Sequence, residues 1–209
     1  MIRSGGGIDF ALCIALKSSF DTPWVNWTVK FLRHLLAIAK AEAKPVPIIV
    51  FAHSQGAIYI EHALELLHPE ERELLRIFTF GGGTFILPGK SHPESHNYAS
   101  AADHVCLGSS LNDQSLALKR YYGLRAGHTE QQVINQLAYD DTILCLDSID
   151  PQTISLHREL YVKYYKKEFA RIRHITILDP DPGNRWKHEF VSECYQSTVR
   201  DIIRIYQKL

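Results

Sequence analysis

Apolar residues at Val25, Val29, Leu32, Leu36 and Ala39 recur at the spacing of one helix face. Asp21 or Thr22 can cap that helix with Pro23 in its first turn, and the helix should end near Lys44, before Pro45 and Pro47. The pattern then changes. Ile48 to Phe51 is short, wholly apolar and rich in β-branched residues, which predicts a strand buried on both faces. Gly56 opens a second helix, Ala57 to Leu67, and Glu70 to Leu75 reads as a further turn. Arg76 to Phe80 repeats the buried-strand pattern and stops at Gly81, Gly82 and Gly83. Beyond it the pattern predicts a strand at His96 to Ala99, mostly helix over 113 to 138, and a short apolar run at Thr142 to Leu146. A helix at Thr153 to Arg171, a strand at Ile175 to Leu178 and a last helix at Glu189 to Gln207 follow. At the start, Ile8 to Leu16 is an apolar run that fits a strand or a helix. Strand and helix alternate, so the expected fold class is α/β, with a mostly parallel sheet and helices on both faces.

Length and composition narrow the classes. The 209 residues are 45% hydrophobic, which suits one domain over 1–209 with a core of its own. Lys+Arg and Asp+Glu are equal at 23, so there is no basic field for a nucleic-acid backbone, and nucleic acid is not an expected partner. A charged content of 22% with 11% aromatics excludes a disordered chain. Cys13, Cys106, Cys145 and Cys194 show no paired spacing, so they read as reduced thiols rather than a zinc site, and neither a metal nor a cofactor is expected. No apolar run is long enough for a transmembrane segment. Met1 to Ser19 carries only Arg3 as a basic residue, is interrupted by Asp9 and lacks a clean cleavage site. A cytoplasmic location is therefore expected, with secretion without a cleaved signal as the alternative.

The chemistry concentrates at Ala52-His53-Ser54-Gln55-Gly56. An apolar strand precedes it and an amphipathic helix follows. A nucleophilic serine on so sharp a turn needs small residues two before and two after it, and Ala52 and Gly56 supply them. The helix start offers free N–H groups, and that of Gln55 would face a developing oxyanion. The same residues also fit an ordinary strand-to-helix turn with a capping serine. The pentapeptide resembles the nucleophile elbow of the α/β-hydrolases, Gly-x-Ser-x-Gly, with Ala52 in place of the first glycine. His53 is adjacent to Ser54 and reads as a packing residue rather than the base.

That resemblance implies a triad in the chain order Ser, acid, His. His188 fits the base, because it follows a strand and a Pro/Gly loop and precedes the last helix. His188 to Tyr195 resembles the His-then-Tyr segment of lipases of the class-three type. His128 is second, while His62 and His157 fall inside helices. For the acid, His96 to Val105 resembles the strand-then-Asn/Asp-x-Val segment of the same lipases and points to Asp103, although Cys106 and Leu107 stand where the family often has Pro. Asp179 is the alternative acid, but it lies nine residues before His188 and leaves no room for a strand between them. Asp147 and Asp150 are weaker candidates. Taken whole, the chain is also similar to a family of chlamydial proteins with lipase-like elbows, which implies no particular substrate.

The resemblance leaves one part unmatched. α/β-Hydrolases usually take a second oxyanion donor from a Gly-rich loop after an earlier strand. Only 53 residues precede Ser54, and Ser4-Gly5-Gly6-Gly7 has no strand before it, so the fold is expected to be shortened at its N-terminus. Gly81 to Gly83 offers another donor, or shapes the pocket. Between acid and base, residues of about 108–170 form a long, tyrosine-rich helical region that reads equally as a lid or as a plain helical layer. The expected function is a serine hydrolase of the esterase or lipase type acting on a small-molecule ester or lipid. The alternative is a weak or inactive hydrolase-like domain that binds a ligand or partner.

Overall fold

The computed structural model describes residues 22–87, 94–101, 103, 111–145, 150–180 and 193–207. Ile8 to Leu16, His188 and the start of the predicted last helix lie outside the described residues. The chain divides into two compact units: Met1–Leu111 with His174–Leu209, and Asn112–Arg173.

The first unit is built on a four-stranded parallel sheet. Its strands are β1 (Ile48–His53), β2 (Leu75–Phe80), β3 (Ser95–Ser100) and β4 (Ile175–Leu178), in the order β1-β2-β3-β4. Helix α1 (Pro23–Ala41) starts at Thr22, whose Oγ1 accepts from the Val25 N–H at 3.3 Å, and buries Val25, Val29, Leu32, Leu36 and Ala39. These are the residues that the periodicity picked out. Helix α2 (Gln55–Leu66) follows β1 directly, and the short helix α3 (Pro69–Arg72) occupies the predicted turn before β2. Helix α7 (Glu193–Tyr206) follows β4.

Alternation along the strands separates two cores, because successive side chains point to opposite sheet faces. On one face Ile48, Val50, Ala52, Leu75 and Ile77 pack with Val29, Leu32 and Leu36 of α1 and Ala57, Ile60 and Leu64 of α2. On the other, Phe78, Phe80, Ile49, Phe51 and Tyr98 pack with Tyr195, Val199 and Ile202 of α7. The fold is α/β with a parallel sheet and helices on both faces. One expectation needs correction. β2 is buried almost throughout, whereas β1 is half-buried with only Ala52 fully enclosed. The reason is position: among the described residues β1 is an edge strand, so its outer flank has no neighbouring strand.

A buried asparagine locks the strands to the segment after β2. Asn97 Oδ1 accepts from Thr79 Oγ1 and from the Ile86 N–H, both at 2.9 Å, and its Nδ2 donates to the Ile86 carbonyl at 3.0 Å. The same amide donates to the His174 carbonyl at 3.4 Å, just before β4.

The second unit contains α4 (Leu111–Arg125), α5 (Glu130–Cys145) and α6 (Pro151–Arg171). The region 113 to 138, read as mostly helical, is broken between α4 and α5 at Gly127, whose φ is 85°. Thr129 and Gln132 then form a reciprocal cap, Thr129 N–H to Gln132 Oε1 at 2.7 Å and Gln132 N–H to Thr129 Oγ1 at 3.2 Å. Gly123 has no room for a Cβ beside Val133, so α4 and α5 approach closely there. Thr142 to Cys145, the start of the short apolar run, completes α5.

Candidate active site

Ser54 stands on the turn between β1 and α2 with φ 54° and ψ −125°. Among the described residues it is the only non-glycine with positive φ. An L-residue held there costs about 1–3 kcal/mol, and such residues cluster at functional sites. The backbone around it is tied at both ends. Its N–H donates to the Phe80 carbonyl at 3.3 Å, and its carbonyl accepts from Gly83 N–H at 2.9 Å and Ala57 N–H at 3.2 Å. The Ser54 side chain makes no capping hydrogen bond to α2, which removes the ordinary capping-serine explanation.

The small residues do what the turn requires. A Cβ at Gly56 would sit 4.0 Å from the Ala52 Cβ, an ordinary contact. Positions two before and two after Ser54 therefore face each other, with room for the Ala52 methyl. Gln55 is the first residue of α2, so its N–H belongs to the helix's unsatisfied first turn.

Gly81 to Gly83 braces the turn. Gly83 N–H is committed to the Ser54 carbonyl and Gly81 N–H to the Tyr98 carbonyl at 2.9 Å. Gly82 packs so close that a Cβ would lie 2.7 Å from the Thr84 carbonyl and 3.0 Å from Ala57 Cβ. Two of the three amides are thus occupied, and the loop buttresses the elbow.

Asp103 lies just beyond β3 at the same end of the sheet as Ser54, and is 2% exposed. Its N–H donates to the Ser100 carbonyl at 2.9 Å. Its Oδ2 accepts from the Tyr195 hydroxyl at 2.8 Å, and that hydroxyl accepts from the Ser100 N–H at 3.0 Å. A fully buried tyrosine from α7 thereby ties the end of β3 to the carboxylate. Tyr195 packs edge-on against Phe80 and His53, so the ring of His53 contributes to seating it. The one sequence signal for Tyr195 was its place in the His-then-Tyr segment.

The sheet ranks the acid candidates by position. Neighbouring strands lie about 4.8 Å apart, so the ends of β1 and β3 are separated by roughly 10 Å and those of β1 and β4 by roughly 14 Å. The shorter gap suits an imidazole making two hydrogen bonds of about 3 Å each. Asp179 follows β4 directly and is exposed. His62 is buried within α2, while His128 and His157 belong to the helical unit. Among the described residues no group of three or more His, Cys, Asp or Glu could hold a metal ion, and no helix is long and apolar enough to cross a membrane. Comparisons of the chain with protein-family models, with curated proteins and with solved structures found no match.

Proposed function

We propose that the sheet unit is a serine ester hydrolase of the α/β-hydrolase kind, acting on a small-molecule ester or lipid. The observation that carries this reading is Ser54: a non-glycine residue in left-handed backbone at a strand-to-helix turn, with its hydroxyl not spent on the helix cap. In the proposed reaction Ser54 Oγ attacks the ester carbonyl. His188 accepts the serine proton and returns it to the leaving alcohol. Asp103 holds and stabilises the imidazolium through one carboxylate oxygen while Tyr195 occupies the other. The Gln55 N–H donates to the oxyanion. Water then releases the acyl group from Ser54 by the same proton path.

Labelling by a fluorescent fluorophosphonate tests this directly. The intact protein should label, and both Ser54→Ala and His188→Ala should abolish labelling. Tyr195→Phe should retain it at a reduced rate, because the carboxylate stays but loses one of its anchors. A folded protein that does not label overturns the reading. One observation favours a second function, ligand binding without turnover. Gly81 and Gly83 have no amide to spare for an oxyanion, which leaves Gly82 alone in that loop to offer one, and loss of one such donor costs about 100- to 1000-fold in turnover.

A further inference from the structure

Helix α5 carries a polar stripe besides its core face. Val133, Ile134, Leu137 and Ala138 are buried, while Gln132, Asn135, Gln136 and Tyr139 recur at i, i+3, i+4 and i+7 on another face. Together with His128 and with Arg158 of α6, they line a pocket of about 280 Å³ that lies within the helical unit. Among the described residues, no carboxylate and no aliphatic side chain lines it.

The bonds already made by these side chains leave mostly donors. The Thr129 N–H can only donate, so its 2.7 Å bond commits Gln132 Oε1 and leaves Nε2 as the group Gln132 can offer. Asn135 Oδ1 accepts from Gln131 Nε2 at 2.8 Å, which leaves Asn135 Nδ2. Gln136 is of the opposite sense, because its Nε2 donates to Asp140 at 2.7 Å. His128 is set at the start of α5 by its own N–H, which donates to the Gly123 carbonyl at 3.1 Å, and its imidazole carries a ring N–H in either tautomer. Arg120 and Arg171 of the same unit are each held by a carboxylate. Arg158 lies instead against the Tyr139 ring, 5.8 Å from its centroid, and makes no ion pair among the described residues.

One guanidinium and several neutral donors around a concavity without an acid form a site for an oxyanion. A carboxylate offers two oxygens, which the arginine fork alone takes up. A phosphate group has a further oxygen for donors on the other helix. We propose that this pocket binds the phosphate of a small soluble phosphomonoester, held by Arg158 from α6 and by Gln132, Asn135 and His128 from α5 and the turn before it. Pockets for drug-sized ligands run from about 300 Å³ upward, so this one suits a small molecule, and its polar lining offers nothing to an acyl chain. The site does not depend on the hydrolase reading, and a failure of fluorophosphonate labelling leaves it standing.

Nuclear magnetic resonance of the side-chain amides tests it, with the full chain titrated at constant ionic strength. Inorganic phosphate should shift the Gln132 and Asn135 side-chain signals saturably, with a midpoint of about millimolar, and a glycerol phosphate should do so at least as tightly. Arg158→Gln should weaken both by about tenfold with the helix signal unchanged. Arg158→Lys, which keeps the charge and loses the fork, should recover part of that loss. Unchanged binding in Arg158→Gln overturns the proposal, as do shifts that grow without saturating or spread along Lys163, Lys166 and Lys167. Acetate acting as strongly as phosphate overturns it by making the site one for carboxylates. Phosphatidic acid vesicles that move these signals where free phosphate does not overturn it by giving the site to a membrane.

Discussion

Asn97 and Gln114 are both buried side-chain amides, one in each unit, and their surroundings treat them oppositely. Asn97 is fully enclosed, and both its oxygen and its nitrogen have partners. Gln114 is 1% exposed, and its Oε1 has no hydrogen-bond partner. In the sheet unit, buried polar atoms set geometry: Asn97 fixes β2, β3, the approach to β4 and the segment through Ile86. That segment begins with Gly81 to Gly83, of which Gly83 donates its N–H to the Ser54 carbonyl. In the helical unit Arg171 pairs with Asp113 and Glu168, and the Tyr165 hydroxyl donates to Asp141. A strained backbone persists only where its surroundings over-determine it, and at Ser54 the bonds of Asn97 and of the glycine segment supply that support.

The largest effect should come from removing the lattice. Asn97→Leu keeps the approximate volume but leaves the Ile86 N–H and the Thr79 hydroxyl without their partner, while the Ile86 carbonyl keeps the Ser95 hydroxyl. Orphaned buried groups cost about 1–3 kcal/mol each, so a total loss of roughly 3–5 kcal/mol is expected. Tryptophan fluorescence in urea will read it in the right place, since the three tryptophans, Trp24, Trp27 and Trp186, all fall in the sheet unit. A midpoint unchanged from the parent would show that water replaces the amide without penalty and would remove the contrast between the units.

The same contrast explains what was legible in the sequence. The buried face of α1 was readable to the residue because Val25 to Ala39 has one clear period, although the helix ends at Ala41, short of the expected Lys44. β2 and β4 were readable as apolar runs between turn residues, whereas β3, Ser95–Ser100, is largely polar and showed only its place in the strand-and-helix alternation. The burial of β1 was overread, since an apolar run does not say whether both flanks are paired. In the helical unit the apolar residues follow no single stripe. The α4–α5 break was missed because it depends on Gly127 and a polar Thr129–Gln132 cap, which composition alone does not separate from helix. At the site, Ser54 was legible because strand, small residues and helix share one short stretch. The role of Tyr195 was not, because its bond to Asp103 joins residues 92 positions apart.

A pH series sharpens the comparison from the helical side. Burial, and then the bond to Asp141, push the Tyr165 hydroxyl above its usual range. A raised tyrosine favours the neutral form in the fold. Its contribution is complete below the unfolded value of about 10 and declines as pH rises from there, by at most about 1.4 kcal/mol per pH unit. Tyr165→Phe loses the hydroxyl's bond, about 1 kcal/mol at neutral pH, but has no such decline. Helix signal in urea at pH 8 and pH 11 should therefore show the two proteins converging as pH rises. Tyr98 and Tyr206, also raised by burial, are common to both and cancel in the difference. Parallel curves would mean that Tyr165 is not the titrating group.

The smallest effect should have the opposite sign. Gln114→Met removes an amide whose oxygen has lost water and gained nothing, and puts in its place a flexible apolar chain of similar length. Burying an unpaired polar group costs about 1–3 kcal/mol, part of which the lost amide N–H interactions offset, so a gain of about 1 kcal/mol is expected. The change should appear in the helix signal at 222 nm during urea unfolding and leave the tryptophan transition where it was. Equal shifts in both signals would mean that the two units unfold together, so that repairing one buried amide stabilises the whole chain. A loss of stability would mean that the Gln114 oxygen is satisfied in solution, by water reaching α4, and would remove the contrast with Asn97.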